Sequence, residues 1–185
     1  MRIVADIIRL ASPIFVLLAV FLPLSAYLYA FNFGSVTLQN YVHIMTGALW
    51  TGIDLFMGFV IGPVLGGMDP RERAAVLRRL IPRMTFLMPV LAAVTTTSGI
   101  QLAQRLGIFS LSDPWILAAA VIGAILTIQG FGFLLPNEVR IFRQLLSAAP
   151  DVQKISRLGM TNARLAGVQG VFQLAIIFVM AQIRF

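Results

Sequence analysis

His43 and Asp54 are the residues of this chain best suited to chemistry: they stand in one apolar stretch, eleven positions apart. On an α-helix that spacing brings them within about 20° of the same face and about 16 Å apart along the axis. Gly47 and Trp50 share the stripe. Ionisable groups are costly in hydrocarbon, so a histidine and an aspartate on one face of a lipid-length segment are the default candidates for a site. An imidazole can ligate a metal. At 16 Å the imidazole and the carboxyl cannot hold one ion together, but they could serve as successive stations of a proton path.

The elements that must position them are membrane spans. Apolar residues make up 59% of 185 positions and charged residues 11%, and the charges collect between apolar stretches of about twenty residues. The pattern predicts an all-α integral membrane protein. Five spans are expected: Leu10 to Phe31, Val42 to Leu65, Met84 to Gln104, Trp115 to Leu135 and Gly159 to Ile183. Residues 1–185 read as a single membrane domain, in which an extra first helix (10–31) precedes a four-helix core (42–183). The first apolar run is too long for a signal-peptide core and no small-x-small cleavage site follows Tyr29, so it is expected to be retained.

Basic residues set the expected orientation. Arg2 and Arg9 precede the first span; Arg71, Arg73, Arg78, Arg79 and Arg83 fill the second connection; Arg140, Arg143, Lys154, Arg157 and Arg164 fill the fourth. Arg105 and Arg184 are left for the other side. The positive-inside rule then places the N-terminus inside and the C-terminus outside. Arginines flanking spans also account for the net charge of +7 through topology and anionic headgroups, so no nucleic-acid partner is needed. The expected partner is the lipid bilayer, with a homo-oligomer or larger membrane complex as a further option, and the expected location is the bacterial inner membrane. Asn32 to Asn40 and Gly107 to Pro114 read as outer loops. Ala74, Leu77, Leu80 and Ile81 recur at helical spacing among arginines, which predicts a short helix lying on the membrane surface. Asn137 to Ser156 reads similarly, with Val139, Phe142, Leu145 and Leu146 as its apolar face.

Small residues four apart predict close helix packing: Gly58 and Gly62, Ala119 and Gly123, Ala163 and Gly167, Ala166 and Gly170. Intramembrane polar residues recur at Thr95, Thr97, Ser98, Gln101, Gln129, Gln169 and Gln173. Each could be glue between helices or part of a solute path. Cysteine is absent, so thiolate ligands and disulfides are excluded. No phosphate-binding glycine loop, metalloprotease histidine pair or nucleophile with a neighbouring histidine base is present, which argues against the common soluble-enzyme chemistries.

The string from His43 through Trp50 to Gly52, histidine then tryptophan seven residues on then glycine two further, resembles the helix-opening signature of the CopD-like copper-resistance membrane proteins, the DUF2269-like uncharacterised membrane proteins and the HemJ-like protoporphyrinogen oxidases. Leu87 to Gly99, ending in a run of hydroxyl residues and a glycine, is similar to the next helix of those families, and the likeness extends from Tyr41 to the C-terminus. The HemJ-like resemblance implies a haem b with His43 as axial ligand; Met45, whose thioether would suit Cu(I) under the CopD-like resemblance, and Trp50 are the other candidate cofactor-binding residues. That family's functional lysine has no counterpart in a span here, because the one lysine, Lys154, lies in a connection. With one histidine, a haem in a monomer would be five-coordinate, methionine-assisted or shared between copies. The CopD-like resemblance implies copper movement. Three readings stay open: a haem- or metal-linked redox protein built on His43; a copper or small-solute carrier or channel using His43, Met45 and Asp54; and a structural or assembly subunit of a larger membrane complex, in which the polar residues only join helices.

Overall fold

The computed structural model describes residues 2–183, with side-chain surroundings from Ile7 onward; Arg184, assigned above to the sparsely charged side, lies outside them. Eight α-helices run in chain order: α1 (Arg2–Ala11), α2 (Pro13–Phe33), α3 (Val36–Phe56), α4 (Gly62–Gly67), α5 (Pro70–Arg105), α6 (Pro114–Gln129), α7 (Leu135–Leu145) and α8 (Val152–Gln182). Single π-turns at Met57–Ile61 and Gly130–Leu134 join α3 to α4 and α6 to α7 into continuous rods. Five rods are long and apolar enough to cross a bilayer: Pro13–Phe33, Val36–Gly67, Pro70–Arg105, Pro114–Leu145 and Val152–Gln182. The expected five-span helical membrane bundle is the fold.

Both π-turns have a proline as their cause. Pro63 and Pro136 each stand six residues after the first residue of a π-turn. A proline inside a helix removes an amide donor and pushes on the carbonyl four residues back. One widened turn, in which the Gly62 amide bonds the Met57 carbonyl and the Leu135 amide bonds the Gly130 carbonyl, absorbs the misfit without breaking the rod. The two rods thus treated are each 32 residues long.

Glycine sets the closest helix contact. A Cβ on Gly58 would lie 2.1 Å from the Gly167 Cα, so α8 meets the first π-turn backbone to backbone. Gly170 seats Leu55 in the same way, while Gly62 faces Ala163. Three of the four expected small-residue pairs therefore lie at this one interface. The fourth does not pack as expected, because nothing lies within 4 Å of a Cβ on Gly123.

Several boundaries differ from the sequence expectation. The predicted surface helix around Ala74 to Ile81 is the first third of α5, continuous with the span. Ala74, Leu77 and Ile81 are buried against Leu65, Ile141, Phe142 and Ile155, a core that closes the arginine-rich end of the bundle. The second predicted surface segment divides between α7 and α8, and its inward face is Ile141 and Phe142 together with Glu138, whereas Val139 and Leu146 are exposed. Arginines beside a greasy stripe suggest a headgroup-level helix; here the stripe has protein to pack on. The first loop shrinks to Gly34 and Ser35. The first span begins at Pro13 because Ser12 adopts φ 74°, a conformation costly for a non-glycine residue, and breaks the chain before the proline. α2 packs on α3 and α5, burying only small residues, Ala19 and Ala30.

One arginine does more than hold topology. Arg73 donates from Nε to the Leu65 carbonyl at 2.7 Å, from Nη2 to the Met68 carbonyl at 2.8 Å and from Nη1 to Ser156 Oγ at 2.9 Å. It caps the carbonyl end of α4, where a cation is favoured, and ties it to α8. Arg73→Lys keeps the charge but loses the fork, and should lower stability by about 1–2 kcal/mol, read as a lower thermal midpoint in detergent micelles. Beside it, Asp69 caps α5: its carboxylate accepts from the amides of Glu72 and Arg71, and these bonds hold the carboxyl below its usual range. A carboxyl lowered by folding adds stability at neutral pH and loses it as pH falls through the acid range, so Asp69→Asn should flatten the acid limb of the stability curve.

Candidate functional site

His43 locks α3 to α5. Its Nδ1 lies 2.9 Å from the Thr95 carbonyl, to which it donates, and 3.2 Å from Ser98 Oγ. The ring rests on Gly99, where an added Cβ would lie 2.7 Å from Cε1. Along the same seam Thr95 Oγ1 donates to Thr46 Oγ1 at 3.0 Å, and Gly47 faces the Thr95 methyl group. Toward the end of α5, Arg105 donates to Gln39 Oε1 at 2.8 Å. The hydroxyl-glycine run noted in the sequence thus forms the imidazole's seat. By contrast Gly52, the last residue of that signature, has nothing within 4 Å of a Cβ.

This seat fits half of what a metal-bound histidine needs. A ligating histidine usually donates its second ring N–H to a carbonyl, as Nδ1 does here, which leaves Nε2 for a ligand. The donor set is not completed by this chain. Met45 lies about 200° round the helix from His43 and is 41% exposed, facing lipid. Met88 stands seven residues before Thr95 on α5, about 10 Å away along the axis, packed with Trp50. Among the described residues no group of three or more His, Asp or Glu converges on a metal position. The bundle's cavity reaches Thr96 and Thr97, between the imidazole's two partners on α5, but His43 itself is not part of its wall. The residues around His43 do not fit a haem or a copper ion held by one copy of the chain.

The cavity itself lies elsewhere. It has a volume of about 250 Å³ and runs between α5 on one side and α6, α7 and α8 on the other, with Trp50, Asp54 and Met57 at its back. α6 packs mainly on α8, and meets α5 where Leu91 and Leu126 pack with Trp50. The space between them is a cleft whose rim is the exposed Ala93 and Thr97 on α5 and the exposed Thr127 and Phe131 on the facing rod. On α5 it extends from Leu77 to Thr97, about 30 Å at 1.5 Å per residue.

Two carboxyls border it. Asp54 is 2% exposed and accepts from Gln173 Nε2 at 2.9 Å, beside the Trp50 indole. Glu138, on α7, accepts from Thr85 Oγ1 at 2.6 Å. Their partners are neutral, and among the described residues neither is paired with an arginine or lysine. Nearby, Asn162 reaches the Leu134 carbonyl and accepts from Asn137, which in turn accepts from Arg140. A carboxyl removed from water is stabilised only by donors or cations in its reach, and each of these two has one strong donor and a cavity beside it.

The glutamines divide by role. Gln129 donates to the Leu165 carbonyl at 2.8 Å and Gln169 to the Leu126 carbonyl at 3.1 Å, a reciprocal pair that joins α6 to α8. Gln169 also lines the cavity, whereas Gln173 serves Asp54 and leaves its own Oε1 buried without a partner among the described residues. Glu138 was missed by sequence reasoning because it follows an apolar run and precedes arginines, which suggests an exposed connection. Its signal was the spacing of Asn137, Glu138, Ile141 and Phe142, a helix face that buries acid and apolar groups together.

The imidazole seat yields a coupled test. His43→Ala removes one buried hydrogen bond, about 1 kcal/mol in a membrane bundle. Gly99→Ala, by driving a methyl group into the ring, should cost about 1–3 kcal/mol. The double variant should cost less than the two added together, because the small residue removes the clash; strict additivity of the unfolding free energies would contradict this seat. No protein-family model matches the chain, and no curated protein or solved structure matches it either.

Proposed function

We propose that the chain binds and carries a small solute through the membrane, with Asp54 and Glu138 as the groups that hold it or its co-transported cation. The observation that supports this reading is the opening of two buried carboxyls, each with neutral partners among the described residues, onto one cavity. Intramembrane carboxyls are costly and mark ion or substrate pathways. A structural role needs neither the cavity nor a second acid beside it. This is the carrier reading of the sequence relocated: Asp54 stays in the site, Glu138 joins it, and His43 and Met45 leave it.

The test is uptake. Proteoliposomes carrying the protein are incubated in a mixture of small metabolites under an imposed pH gradient, and their contents are compared by mass spectrometry with those of protein-free vesicles. At least one solute should accumulate, and Asp54→Asn should return the contents to the protein-free pattern. Identical contents with and without the wild-type protein would overturn the reading.

A further inference from the structure

We propose that the cleft between α5 and α6 admits, sideways from the bilayer, a single-chain amphiphile with a cationic head, its ammonium held between Asp54 and Glu138. This rests on the carrier reading and names its substrate class. The shape comes first. A cavity of about 250 Å³ drawn out over about 30 Å of α5 is narrow, and suits an alkyl or prenyl chain better than a compact polar solute. Its wall is mostly apolar, with Met84, Met88, Phe131 and Leu134 along it. Unbranched thioether side chains adapt their shape to a flexible chain.

The head group follows from charge. Glu138 borders the cavity toward the arginine-rich end and Asp54 beside Trp50, and the rest of the polar lining is neutral, threonine hydroxyls and the amides of Asn162 and Gln169. The chain supplies each carboxylate with a neutral donor and, among the described residues, with no basic partner. A buried carboxylate and a buried ammonium are each costly alone and acceptable together, so an ammonium headgroup supplies what the protein leaves out. The route follows from exposure. Because the rim of the cleft is exposed at Ala93, Thr97, Thr127 and Phe131, an amphiphile already in the leaflet meets the opening without passing through water. Toward the arginines the cavity is closed by the packing of Leu77, Ile81 and Phe142, and Trp50, Leu91 and Leu126 pack together along its side.

The experiment uses the full chain in lipid nanodiscs doped with dodecylammonium, dodecanol or dodecanoate, with retention read by native mass spectrometry. One dodecylammonium should be retained per chain, saturably, and at least tenfold more tightly than the neutral or anionic chain. Asp54→Asn and Glu138→Gln should each weaken retention about tenfold, with the helical circular dichroism spectrum unchanged. Ala93→Trp, which fills the wall away from both acids, should also abolish it, so the proposal stays testable if a carboxyl variant misfolds. Equal retention of dodecanol would mean the acids act as neutral hydrogen-bonding groups and would overturn the cationic class. A concentration-dependent dimer that no amphiphile displaces would overturn the proposal by giving the cleft to a second copy. Uptake that needs the carboxyls without any dodecylammonium binding would leave the carrier standing and remove only this substrate class.

Discussion

Gly58→Ala should be the most destabilising single-methyl substitution in the membrane core, lowering the thermal midpoint in micelles far more than any other glycine-to-alanine change there. The new Cβ would stand 2.1 Å from the Gly167 Cα and 2.6 Å from its amide nitrogen. Carbon contacts sit at about 3.5–4.0 Å, so the helices must part by about 1.5 Å. No rotamer change can relieve a clash with backbone. Overpacking usually costs about 1–3 kcal/mol; here the displacement also weakens the adjoining contacts of Leu55 with Gly170 and of Asp54 with Gln173, so the loss should exceed that range. Gly167→Ala should cost less, because the reverse approach is 3.1 Å. Gly52→Ala and Gly123→Ala meet nothing within 4 Å and should be neutral or stabilising by up to about 1 kcal/mol, as expected for glycine in a helix. Equal midpoints for Gly58→Ala and Gly123→Ala would remove the backbone contact from the account.

The contrast between those glycines shows how far the sequence could be read. Spacing of small residues identifies candidate contact faces, and for Gly58, Ala163, Gly167 and Gly170 the face is filled by another helix. For Gly123 the same spacing meets empty space, since periodicity along one helix carries no information about what lies opposite. The spans were legible because twenty apolar residues have few alternatives in water or lipid. Their ends were not, because arginines mark the approximate edge of hydrocarbon while the helix continues past it when a protein core, such as that of Leu77 and Phe142, receives its apolar side. The site was half legible. Asp54 is anomalous in any window of its neighbours, so its importance shows in one dimension. Glu138 becomes anomalous only in three dimensions, once Pro136 is absorbed by a π-turn and α7 continues the rod into the bundle. His43 is rare and therefore conspicuous, yet its surroundings are a carbonyl, a hydroxyl and a glycine on α5, which use it to join helices.

Asp54→Asn should separate function from fold more cleanly than any other change in the chain. Asparagine keeps the volume and an oxygen that Gln173 Nε2 can still reach, and it offers an amide donor to Gln173 Oε1, otherwise unpartnered among the described residues. The midpoint should therefore stay within about 1 kcal/mol of the wild type, or rise. What asparagine cannot do is carry charge or exchange a proton, so uptake in proteoliposomes should fall at least a hundredfold. Asp54→Leu behaves differently: it leaves both polar ends of a buried glutamine without a partner and should cost about 2–3 kcal/mol in addition to activity. Glu138→Gln is the parallel case, since Thr85 Oγ1 can still donate to an amide oxygen, and it should also keep the fold. If the two acids serve one ligand, their effects on uptake are not additive: either amide substitution alone should lower transport nearly as far as the pair. Full uptake by Asp54→Asn with its stability intact would make that carboxyl a helix-joining group like Gln129, and the cavity would lose its claim to be the site.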